Sequence, residues 1–114
     1  MRNRFFTTAA LALSSLLLAS TGTAAQDAEH GRQLFTTVGC SLCHGTVGQG
    51  PVVGPRLAPN PLPYEAIRDY IRAPAQVMPP YAENVLSDSD VADIRAYLAT
   101  VPEPPDLSDT ILGQ

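Results

Sequence analysis

The chain contains no lysine; its 7 basic residues are all arginine, set against 11 acidic ones. Without a basic excess it lacks the electrostatic footprint for a phosphate backbone, which excludes nucleic-acid binding. Docking through a ring of lysines is excluded as well, so a partner is expected to present a neutral, apolar or basic face. Cysteine is scarce: the 2 present are too few for a zinc site built from cysteine alone. Beyond residue 18 there is no apolar run that approaches the roughly 20 residues of a spanning helix. Internal repeats and credible strand pairing are missing too.

What is present begins with a leader. Arg2 and Arg4 form a short positive region, Phe5 to Leu18 an apolar one, and Ser20 to Ala25 a run of small residues where a signal peptidase would cut. The expectation is a secretory signal over residues 1–25, cleaved in a bacterial exported protein, with an uncleaved anchor as the alternative. Cleavage leaves about 89 residues with a formal charge of about −6 and no stable membrane span. A core that small commonly needs a staple.

Helical signals follow. Asp27 is an N-cap for a helix over 28–37, in which Gly31, Leu34, Phe35 and Val38 share one face and Glu29 sits at the positive dipole end. Gly39 ends it. Residues 45–63 carry four glycines and five prolines and read as a loop, one wrapped over a cofactor rather than disordered. A helix is expected over 63–73, with Tyr64, Ile67, Tyr70 and Ile71 as its apolar stripe and Pro74 after it. A proline-containing loop over 74–86 carries Met78. Ser87 and Asp90 then make a capping signal for a last helix reaching about Thr100, with Val91, Ile94, Leu98 and Val101 in phase and Tyr97 beside them. The tail over 103–114 reads as extended. The fold class is all-α, with about three main helices and wrapping loops.

The chemistry centres on Cys40-Ser41-Leu42-Cys43-His44. Two cysteines separated by two residues, with histidine directly after, is the spacing of covalent haem c attachment. Each thiol adds to one haem vinyl group, and the imidazole supplies an axial iron ligand. Structural zinc would have to draw on Cys40, Cys43, His44 and His30, an awkward set because His44 is bonded directly to Cys43. A thioredoxin-like pair should open a helix after a strand, whereas glycine and proline follow here. A disulfide closing so short a loop adds little stability. Haem attachment is the reading the spacing favours. Met78 is the candidate for the opposite face, because it is the only methionine besides Met1 and lies in a loop held by Pro79 and Pro80. The plainer alternative is a gap-filling methionine. His30, the competing ligand, lies off the apolar stripe and reads as solvated.

With these residues the chain resembles the class I cytochromes c over nearly all of residues 26–102. Gly31 and Phe35 look like the family's first-helix pair, and Ile94 and Tyr97 like their last-helix partners. Gly54-Pro55-Arg56-Leu57 is similar to the family's Gly-Pro-x-Leu loop, which implies that the Pro55 carbonyl accepts a hydrogen bond from His44. Met78-Pro79-Pro80-Tyr81 is similar to the methionine loop of small bacterial members.

The resemblance and the motif together imply one covalent haem c, with iron held by His44 and Met78. They imply a soluble periplasmic one-electron carrier of a respiratory chain rather than an enzyme. Two ligands leave the iron no open site, and the thioether raises the potential. The expected partners are redox proteins: a dehydrogenase, an oxidase or another cytochrome. A subunit permanently docked to a dehydrogenase or oxidase is the alternative, and an open-site ligand-binding haem protein the third reading. Val52, Val53, Leu57 and Leu62 are expected to keep water off the ring. Arg56 and Arg72 are candidates to pair with a haem propionate, against the plainer reading of solvated arginines.

Overall fold

The computed structural model describes residues 25–106. The expected signal segment before Ala25 and the tail after Asp106 lie outside the described residues. Four helices follow one another: α1 Ala28–Thr37, α2 Cys40–His44, α3 Tyr64–Arg72 and α4 Asp88–Thr100. No strand occurs among the described residues.

Both long helices start where their caps dictate. The Asp27 carboxylate accepts from the backbone N–H groups of Glu29 and His30, each at 3.0 Å. At α4 the Ser87 hydroxyl accepts from Asp90 N at 3.2 Å, and Asp90 answers by accepting from Ser87 N at 2.9 Å. Glu29 also holds Arg32 at 2.6 Å one turn on, and that bond leads the effects that lower the Glu29 carboxyl to about 2.

The main packing contact is α1 against α4. Gly31 faces the α4 backbone so closely that a Cβ there would collide with the Asp93 carbonyl. Phe35, fully buried, stacks tilted on Tyr97 with ring centroids 5.7 Å apart. Val91, Ile94 and Leu98 complete the buried face of α4, while Leu34 and Val38 pack half-buried at the edge of the core.

In α3 the expected stripe is only partly realised. Ile71 is buried and Tyr64 and Ile67 half-buried, but Tyr70 is 49% exposed. At 100° per residue, Tyr70 falls well off the line through 64, 67 and 71. The short α2 was not expected from the sequence. Gly39, at φ 90°, takes the left-handed conformation that ends α1, and the chain winds once more through the two cysteines.

Candidate haem site

Winding residues 40–44 as a helical turn has a chemical consequence. Positions i, i+3 and i+4 share a face, so Cys40, Cys43 and His44 are presented together. All three line one largely apolar cavity of about 660 Å³, and Pro55 and Met78 lie on the same wall. Cys40, Cys43, His44, Pro55 and Met78 are thereby brought to one place, whereas His30 and Arg72 are not part of this wall.

The loop after α2 folds back onto it. The last carbonyls of a helix have no intrahelical donor, and here the loop supplies them. Val53 N and Gly54 N donate to the Cys43 carbonyl at 3.1 and 2.9 Å, and Gly50 N donates to the His44 carbonyl at 2.7 Å. Leu57 N and Ala58 N both donate to the Gly48 carbonyl, at 2.8 and 2.9 Å. Ala58 is buried in the core and Leu57 half-buried on the cavity wall. Val52 and Val53 correct an expectation: they are 64% and 67% exposed and do not line the cavity, because the turn around α2 points them outward. Leu62 reaches the cavity only at its rim and is 62% exposed.

His44 is buried at 7% exposure, with Nδ1 2.8 Å from the Pro55 carbonyl oxygen. A carbonyl oxygen only accepts, so Nδ1 carries the proton and the Nε2 lone pair is left for a metal. Gly54 is pressed against the ring: a Cβ there would sit 2.5 Å from His44 Cε1. Burial pushes the Cys40 thiol up to about 11, so it stays protonated at neutral pH. The two cysteines are not joined as a disulfide.

Met78, lining the same cavity, is half-buried against the core. Its loop is anchored three ways at Tyr81: Tyr81 N donates to the Ile71 carbonyl at 2.8 Å, the hydroxyl donates to the Val38 carbonyl at 2.8 Å, and its own carbonyl accepts from Arg72 Nη1 at 2.9 Å. Arg72 continues to Asp88 at 2.7 Å and so ties α3, the methionine loop and α4 together. Sequence reasoning missed this brace; a polar residue closing a helix before a loop carries no signal of which distant carbonyl it will reach. His30 is remote from the cavity and pairs with Asp93 at 2.8 Å. Among the described residues no cluster of three or more histidine, cysteine and carboxylate side chains is arranged to hold a metal ion.

An apolar space of this size is foreign to a close-packed interior. With two thiols, an imidazole lone pair and a thioether on its wall, it fits a covalently attached haem. Fold and site together define a class I cytochrome c. A family model described as cytochrome C oxidase, cbb3-type, subunit III matches residues 26–98, and the chain belongs to that family. It carries haem c, covalently bound, as the family's domain does. No curated protein and no solved structure matches the chain. Among the described residues no helix is long and apolar enough to cross a membrane.

Proposed function

We propose that the protein is an exported, periplasmic one-electron carrier whose haem is attached through Cys40 and Cys43 and ligated by His44 and Met78. When bound, the haem supplies a ferric/ferrous couple. The chain's own residues do the rest. Pro55 fixes the His44 tautomer and ring orientation, which strengthens the imidazole as a donor. Tyr81 and Arg72 hold the methionine loop against the cavity. Phe35, Leu57, Ile67, Ile71 and Leu98 exclude water from the wall. With an imidazole and a thioether both committed, the arrangement suits electron transfer and leaves no position for a substrate. The observation that carries the reading is the gathering of both cysteines, His44 and Met78 on one apolar cavity.

Mass spectrometry of the mature protein should find one haem that survives denaturation, and the Cys40→Ala/Cys43→Ala double variant should lose it. Covalent haem persisting in that variant would overturn the attachment. The family description also supports a second reading, a haem subunit docked permanently in an oxidase. Gentle extraction followed by size exclusion separates the two: a carrier elutes as a small red protein, a docked subunit with its complex.

A further inference from the structure

The loop that carries Met78 is bonded to the rest of the fold at one residue. Residues 74–80 make no hydrogen bond, through backbone or side chain, to any part of the described chain. Three of these seven residues are proline and have no N–H to give. Gln76, at φ 62°, holds a left-handed conformation that costs a residue with a side chain free energy, so the closed loop is strained as well as untied. The first hydrogen bonds after Met78 are those of Tyr81, and they are three. Its N–H donates to the end of α3 at Ile71, its hydroxyl to Val38 at the end of α1, and its carbonyl accepts from Arg72. Arg72 in turn is held by Asp88 at the start of α4. The arginine side chain is 24% exposed, so both of its bonds are only partly screened by water.

We propose that Tyr81, closed by Arg72, is a latch that governs how often the position held by Met78 opens to a small outside ligand. The inference rests on Met78 ligating the haem iron. Pro79 and Pro80 make a stiff link between latch and ligand, so a shift at Tyr81 carries Met78 with it. Arg72 is absent from the cavity wall and acts through the Tyr81 carbonyl, which makes it a positioning residue. When the latch releases, only the packing of Met78 and Tyr81 on the core still holds the segment. It can then lift as a local unit while the α1–α4 crossing stays intact. A carrier gains from a shut latch, because a small ligand on iron would displace the thioether that raises the potential.

The test mixes the ferric, haem-loaded protein with saturating cyanide and follows the loss of the far-red band of methionine sulfur on iron. At saturation the rate is that of loop opening. Arg72→Gln should raise it about tenfold and Tyr81→Phe about threefold, because a bond to a charged donor is worth more than a neutral one. Arg72→Lys should fall between the original and the glutamine variant, since lysine keeps the charge without the fork. Before cyanide is added, all three should show the far-red band of the original, their ligand being the same. Two controls should keep the original rate: Arg68→Gln, which loses the same charge one turn earlier in α3, and Gly31→Ala, which loosens the α1–α4 crossing away from the loop. An unchanged rate in Arg72→Gln would overturn the proposal. So would an equal acceleration in Gly31→Ala, which would make the opening a global unfolding. Should Arg72→Gln yield no haem-loaded protein, an unchanged rate in Tyr81→Phe would decide against the latch. Failure of the ligand reading itself would show differently, as absence of the far-red band in the unmutated protein.

Discussion

Met78 owes its position to its neighbours. Gln76 turns the chain at φ 62°, Val77 is left 80% exposed, and Met78 swings inward against the core. Tyr81, anchored to Val38 and Ile71, prevents the loop from lifting. Met78→Ala should therefore open one coordination position and keep the covalent haem. Its ferrous form should bind carbon monoxide readily, the potential should fall, and the weak far-red ferric band of methionine sulfur on iron should be missing. A variant with unaltered spectrum and potential would assign the ligand elsewhere or make the site naturally open. His44 is positioned by two contacts of different kind, a hydrogen bond to Pro55 and a steric stop at Gly54.

The α1–α4 crossing is where helices decide stability. Its close approach depends on the missing side chain at Gly31, since the colliding group would be the Asp93 backbone rather than a flexible chain end. Gly31→Ala should cost about 2–3 kcal/mol by forcing the helices apart. Chemical denaturation of the haem-loaded protein measures it, and a variant as stable as the original would remove the crossing from the argument. At the same end, Asp93 accepts from Asp27 N and pairs with His30, clasping the start of α1 to α4. The Asp93 hydrogen bond raises the His30 pKa above its ordinary 6.5 against the opposing effect of desolvation, with the charges of Asp93, Asp90 and Asp27 adding to the rise. Because the folded value is the higher one, this contribution is full below about 6.5 and fades as pH rises through the folded pKa. The denaturation midpoint should fall on going from about pH 5.5 to about pH 8.5, and this fall should shrink in His30→Gln. An identical pH dependence in the variant would sever the link.

Taken as a whole, the molecule is arranged around its cavity more than around a conventional core. Phe35, Leu86, Val91, Ile94 and Leu98 belong both to the buried cluster and to the cavity wall, so a filled cavity completes the interior. Leu42 and Leu62, which also border it, are 76% and 62% exposed and form an apolar rim. Beyond that rim the surface is acidic and free of lysine. With a basic redox partner, electron transfer should slow as ionic strength rises, because screening shortens the reach of the attraction. Stopped-flow rates across a salt series test this, and rates indifferent to salt would assign docking to the apolar rim instead.

The sequence by itself determined whatever depends on near neighbours. The limits of α1 and α4 follow from Asp27 and Ser87, whose side chains reach only two or three residues ahead. The pairing of Cys40, Cys43 and His44 as a haem-attachment motif follows from their spacing, and the crossing of Gly31 and Phe35 with Ile94 and Tyr97 was implied by the resemblance to class I cytochromes c. Only the tertiary structure decided the rest. It wound residues 40–44 into a helix of five residues, too short to register as a periodic pattern. It drew the loop back onto the Cys43 and His44 carbonyls, because a helix end leaves acceptors that any nearby N–H can fill. It turned Val52, Val53 and Tyr70 outward and spent Arg72 on Tyr81 and Asp88. Hydrophobicity and charge say that a side chain seeks burial or a partner. Which one it finds depends on what the folded chain brings within reach.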